Sequence, residues 1–180
     1  MKIKKEIIGP NVLLRLITDD DKQAYYHAGF REIDEQSRYF TQTKHVFSQQ
    51  QIYDYVDRIV EDETRYDFLI IDMNSQICGE SVLNEIDWEN RSANFRIALF
   101  DLSSFGKGIG SAAVQLTVQF GFEQLSLERI TLDVYDFNQR AIRTYLKTGF
   151  QIDGSGEETL LDGTSGKTIK MSITKNQFIA

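Results

Sequence analysis

Cysteine occurs once, at Cys78, so no disulfide can close within the chain, and a lone thiol fits a reducing compartment. Proline also occurs once, at Pro10, and no Pro/Gly/Ser-rich tract interrupts the sequence. That leaves no linker, and residues 1–180 read as a single domain with short connections. No stretch approaches the roughly 20 apolar residues of a membrane span, and no apolar run follows the basic start Met1-Lys2-Ile3-Lys4-Lys5 as a secretory signal requires. These absences predict a cytoplasmic protein with no membrane partner. His27 and His45 stand alone, without metal-ligand spacing, so no metal is expected. Basic residues are in deficit, 20 against 27 acidic, for a net charge of −7. That balance argues against non-specific nucleic-acid binding and suits a cationic small substrate, whose local concentration a negative surface raises.

What the chain does have is material for a core. Hydrophobic residues make up 41 %, with 12 Phe and 8 Tyr. Residues 11–17 read as a first strand, and Thr18-Asp19-Asp20-Asp21 supplies caps for a helix from about Lys22 to Phe30, with a second piece near Glu35. Ser48 opens another helix, in which Ile52, Tyr55, Val56, Ile59 and Val60 share one face. Strands follow at 66–72, 76–86 and 93–100, turning back at Asn74-Ser75 and at 87–91 as an antiparallel meander. A helix opening at 103–110 and reaching Leu125 is apolar nearly all round, so it is buried. Residues 130–135 alternate as a strand. Asn138 caps a helix carrying Ala141, Ile142, Tyr145 and Leu146 inward, and Gly149 ends it. Two more strands fill 150–175 around a turn at Asp162-Gly163. The fold class is mixed α/β: a mostly antiparallel sheet of six to seven strands flanked by helices.

The segment with the most chemistry is Phe105-Gly106-Lys107-Gly108-Ile109-Gly110-Ser111, where three alternating glycines meet the start of a helix. Glycine admits close backbone approach and unusual φ. The free N–H groups of the new helix face outward with the positive end of its dipole, which makes an anion site of the kind that holds a diphosphate. A dinucleotide fingerprint would need its third glycine at Ser111, and the segment follows a meander rather than the first strand of a βαβ unit. A phosphate loop ending at Gly166-Lys167-Thr168 would need a glycine at Leu161 and a following helix, and neither is there.

The segment resembles the acetyl-CoA pyrophosphate loop of the GNAT superfamily of N-acyltransferases, Gln/Arg-x-x-Gly-x-Gly/Ala. Gly108 and Gly110 match its glycines, while Phe105 stands where the family has Gln or Arg. Residues 138–150 resemble the block Asn-x-x-Ala-x-x-x-Tyr-x-Lys-x-Gly-Phe through Asn138, Ala141, Tyr145, Lys147, Gly149 and Phe150. Gly79-Glu80-Ser81, Arg91 and the long final hairpin are similar to the branch of ribosomal-protein and polyamine acetyltransferases.

The resemblance implies a GNAT-like fold and a direct transfer of acetyl from acetyl-CoA to an amine in a ternary complex. The amine would belong to a polyamine-like small molecule or a protein N-terminus, and the enzyme would be a homodimer. The cofactor site would comprise Gly106, Lys107, Gly108, Ile109, Gly110 and Ser111 at the diphosphate, main-chain groups near Leu99 along the pantetheine arm, and Asn138 beside it. Lys107, Arg140 and Arg143 are candidates for the CoA phosphates, with surface roles open for the two arginines. Tyr145 would donate to the departing thiolate. A lysine-like ammonium, with a pKa near 10, must also lose a proton. Where many relatives carry a glutamate for this, the matching residue is Asn94, which leaves Glu80 and Glu85 as candidates on the preceding strand. Asn94 also keeps a second reading open, a non-catalytic acetyl-CoA-binding regulatory module.

Overall fold

The computed structural model describes residues 5–43 and 45–178. In chain order its elements are β1 (Glu6–Ile8), β2 (Val12–Leu16), α1 (Lys22–Gly29), α2 (Glu35–Thr41), α3 (Gln49–Val60), β3 (Tyr66–Asp72), β4 (Ile77–Asp87), β5 (Ser92–Leu99), α4 (Ile109–Glu123), β6 (Arg129–Tyr135), α5 (Gln139–Thr148), β7 (Gln151–Thr159) and β8 (Ser165–Thr174). The strands form one sheet in the order β1-β2-β3-β4-β5-β6-β8-β7. All neighbours are antiparallel except β5 and β6.

Helices cover both faces, which is why β3 is a continuous apolar run rather than an alternation. Phe68 and Ile70 point into the larger core, with α4, α5 and Phe95. Leu69 points the other way, into a smaller core with Tyr25 of α1 and Ile52, Val56 and Ile59 of α3. Burying each such side chain contributes about 1.5–3 kcal/mol. Inside the larger core a polar pair, Ser81 and Thr117, satisfies itself at 2.7 Å and pins α4 to β4.

Helix ends follow local chemistry. Ser48 accepts from Gln51 N at 3.2 Å while the Gln51 side chain accepts from Ser48 N at 2.8 Å, a reciprocal cap for α3. The acidic run forms a short 3-10 turn at Asp19–Asp21. Its Asp21 carboxylate accepts from Thr18 N at 2.8 Å and takes both Arg15 bonds, at 2.9 and 2.7 Å. Asn138 caps α5 by accepting from Ala141 N at 3.3 Å.

Two expectations change. Among the described residues the sheet has eight strands, because Glu6–Ile8 pairs with β2 in the register Glu6↔Arg15. Three residues are too few to show a period. Leu146 was placed inward on α5, but it is 47 % exposed. The buried stripe of that helix runs through Ile142, Tyr145 and Thr148, and Leu146 lies about 100° round the helix from Tyr145 at its centre.

Candidate active site

The site is set by a parting of strands. β5 and β6 pair over only three residues, Ser92↔Arg129, Ala93↔Ile130 and Asn94↔Thr131. Beyond Asn94, β5 continues along β4 as far as Gly79↔Leu99, and β6 continues along β8 as far as Tyr135↔Thr168. Between them lies a cavity of about 450 Å³. One wall is Phe95 to Leu99, the other is Asp133, Val134 and Tyr135, and α2 closes a side with Ser37, Phe40 and Thr41. The glycine loop and the face of α5 bearing Asn138, Arg140, Ala141 and Tyr145 complete the lining.

The loop is shaped for an anion. Gly106 and Gly108 both have φ +74°, and Gly108 is the left-handed N-cap of α4. An L side chain would be strained at either. A Cβ at Gly106 would meet nothing within 4 Å, so the loop stands open. Asn11, at the start of β2, donates its side-chain amide to the Lys107 carbonyl at 3.1 Å and holds the loop from below. Ile109 is buried and anchors the first turn of α4, while Gly110 and Ser111 line the cavity above it. Lys107 is exposed and does not line the cavity.

Tyr145 is buried, with its ring 6.1 Å from Phe95 and 5.7 Å from Phe150 between centroids. Burial pushes its phenol above the usual tyrosine range, so it stays protonated wherever the protein is folded and working. Leu99 lies on the β5 wall.

The two glutamates part company. Glu85 is exposed, has φ +51°, and sits in the irregular stretch of β4 between Asn84 and Asp87. That bulge turns its side chain out, and it does not line the cavity. Glu80 is buried behind the wall rather than in it. Both its oxygens are engaged, one by the Tyr25 hydroxyl and one by Arg96 at 3.2 Å. Arg96 lines the cavity and also bonds the Tyr55 hydroxyl at 2.9 Å. The chain continues through Arg65, 2.9 Å from Tyr55, to a two-pronged Arg65–Asp67 pair at 2.7 Å. Within this network the Glu80 charge raises Arg96, and burial raises Tyr25 and Tyr55.

Sequence reasoning missed Asp133. It is the only carboxylate among the described residues that line the cavity, half-exposed, and paired with Lys170 at 3.3 Å. The signal was present: Asp133 is the outward position of an otherwise alternating strand, two residues from Tyr135 and opposite the β5 wall. Ser37 was missed as well. It is buried, lines the cavity, and its hydroxyl has no partner among the described residues.

An open diphosphate cradle, a strand gap and a buried phenol in one cavity fit acetyl-CoA. The family pattern described as an acetyltransferase (GNAT) domain matches residues 11–151. This chain belongs to the GNAT acetyltransferase family. It is an N-acetyltransferase that transfers acetyl from acetyl-CoA to an amine. Among curated GNAT relatives, the spermidine N(1)-acetyltransferase of Escherichia coli K12 is 30 % identical over 128 residues, covering 71 % of this chain and 68 % of the relative. The spermidine N(1)-acetyltransferase of Vibrio cholerae serotype O1 is 26 % identical over 121 residues, covering 67 % and 69 %. A crystal structure of spermidine N-acetyltransferase from Vibrio cholerae, in complex with CoA and spermine, superposes with a TM-score of 0.83 at 20 % identity, covering 94 % of this chain and 98 % of that one. The last is a likeness of fold. Among the described residues no helix is long and apolar enough to cross a membrane, and no cluster of His, Cys, Asp and Glu could hold a metal ion.

Proposed function

We propose that this chain acetylates a primary amine of a polyamine such as spermidine or spermine. The observation that carries the acceptor class is the 30 % identity, over 71 % of the chain, to a spermidine N(1)-acetyltransferase. The net charge of −7 and a carboxylate in the cavity wall agree with a polycationic substrate. The reading is of a cytoplasmic enzyme, acting as a single domain over residues 1–180. It includes a homodimer, for which β7 offers an edge strand with eight of nine residues exposed; sedimentation velocity reads that state directly.

Acetyl-CoA supplies the activated acetyl thioester. The N–H groups from Gly106 to Ser111 would hold its diphosphate at the start of α4. The free main-chain edge of β5 from Phe95 to Leu99 would pair with the amides of its arm, and Asn138 would flank that arm. The amine nitrogen attacks the thioester carbon, the carbon–sulfur bond breaks, and Tyr145 gives its proton to the sulfur, regaining one from solvent. Asp133 is assigned the proton that the ammonium must lose. Glu80, with both oxygens bonded, is assigned the orientation of Arg96 in the wall.

The test is thiol release from acetyl-CoA against spermidine, spermine, N-terminal peptides and aminoglycosides, with Tyr145→Phe alongside. Turnover confined to polyamines and depressed in the variant is the expected result. Turnover on peptides alone would overturn the acceptor. Tight acetyl-CoA binding with no turnover on any amine would favour the regulatory module that Asn94 raises.

A further inference from the structure

Arg140 lies on the first turn of α5 and lines the cavity with Gly106, Gly108 and Gly110. Its guanidinium carbon stands 4.3 Å from the centre of the Phe105 ring. Phe105 is braced in turn by Phe40 of α2, edge-on at 6.2 Å. Among the described residues Arg140 makes no ion pair. A guanidinium stacked on a ring is fixed in orientation without being neutralised, and its N–H donors, which lie in the guanidinium plane, stay free. The arrangement is therefore a positioned cation with unspent donors, beside an anion cradle made of main chain.

The other basic candidates are placed differently. Arg143 is exposed, one turn further along α5, and does not line the cavity. Lys107 is likewise exposed and does not line the cavity. Position 105, where the loop pattern carries Gln or Arg, here offers only a ring.

We propose that Arg140, held on the Phe105 ring, is the side-chain ligand of the acetyl-CoA diphosphate, delivering from α5 the donor group that the loop lacks at position 105. Planar, forked donors suit phosphate oxygens better than a point charge does. This rests on the glycine-loop reading of the cofactor site and is independent of the acceptor.

The experiment is calorimetric titration of the full chain, without amine, with CoA, 3′-dephospho-CoA and pantetheine. Arg140→Ala should weaken CoA and 3′-dephospho-CoA equally, by about tenfold, and leave pantetheine, which has no diphosphate, unchanged. Phe105→Ala should weaken both by a smaller factor. Phe105→Arg combined with Arg140→Ala should bring CoA back to within about threefold of the parent protein. Binding of CoA by Arg140→Ala within about twofold of the parent would overturn the inference. So would a loss confined to CoA, which points to the 3′-phosphate, or an equal loss of pantetheine, which points to general damage. Gly110→Asp separates the two levels of failure. An acidic residue in the first turn favours the helix but repels a diphosphate. If Gly110→Asp abolishes CoA binding while Arg140→Ala does nothing, only this inference fails; if neither variant matters, the loop reading fails with it.

Discussion

The side-chain amide of Asn94 donates to the side-chain oxygen of Asn84 at 2.8 Å, across the β4–β5 pair. Asn94 is also the last residue of β5 in register with β6, opposite Thr131. The residue that the family resemblance matches to a catalytic acid is thus a clasp at the point where the two strands part. Asn94→Ala should cost about 1 kcal/mol in urea unfolding and leave kcat within about threefold of the parent. A loss of kcat larger than tenfold, with KM unchanged, would return Asn94 to the chemistry.

Asp133→Asn should lower kcat at neutral pH by about a hundredfold, the scale of a lost general base. The variant's rate should then climb as pH approaches the amine's own pKa near 10, because free amine no longer has to be made by the enzyme. A parallel loss at all pH values would leave Asp133 a binding carboxylate only.

Tyr145→Phe should lower kcat by about one to two orders of magnitude, with little change in the KM for acetyl-CoA, since the ring still packs on Phe95 and Phe150. The pH dependence of stability follows from the direction of the shift. Burial raises the phenol in the folded state, so the unfolded chain loses its proton first as pH climbs. The stability concerned is intact below pH about 10 and is lost above it, at about 1.4 kcal/mol per pH unit for each such tyrosine. Tyr25 and Tyr55 are raised as well. Thermal melts between pH 9 and 11 should therefore fall steeply for the parent protein and less steeply for Tyr145→Phe.

Glu80→Gln should destabilise by about 1–3 kcal/mol, because it leaves Arg96 and the Tyr25 hydroxyl without their charged partner; the partial exposure of Arg96 keeps the value below that of a fully buried pair. Glu85→Gln should be neutral within about 0.5 kcal/mol. Glu85→Gly should stabilise slightly, because it relieves a left-handed backbone at φ +51°. Chemical unfolding of the three variants separates the two glutamates.

Ser37→Ala should stabilise the unliganded protein by up to about 1 kcal/mol, since it removes a buried hydroxyl that has no partner among the described residues. The same variant should raise a KM, because Ser37 lines the cavity.

Long elements were legible because their patterns are strong. The α3 stripe Ile52, Val56, Ile59 and the β6 alternation Ile130, Leu132, Val134 both lie buried as read. The glycines at 106, 108 and 110 and the Asn138–Phe150 block pointed to one cavity from two separate stretches of chain. What local pattern could not show was pairing across distance. Asp133 reads as an ordinary outward strand residue until β6 is seen to diverge from β5. Glu80 reads as a free acid until Tyr25 and Arg96 are brought to it from α1 and β5. Glu85 reads as a regular strand position until the bulge turns it outward. The stacking of Arg140 on Phe105 joins residues 35 positions apart and leaves no trace in either segment.

The short register between β5 and β6 gives this protein an interior edge. From Phe95 to Leu99 one side of β5 is spoken for by β4, and the other faces a gap inside the molecule rather than solvent. Exposed strand edges recruit other chains and lead to aggregation. This one is walled by β6, α2 and α5, which leaves less room for a second polypeptide with side chains on both faces. An edge so enclosed suits a slender guest that carries its own amide groups, and such a sheet would discriminate by width before any side chain takes part.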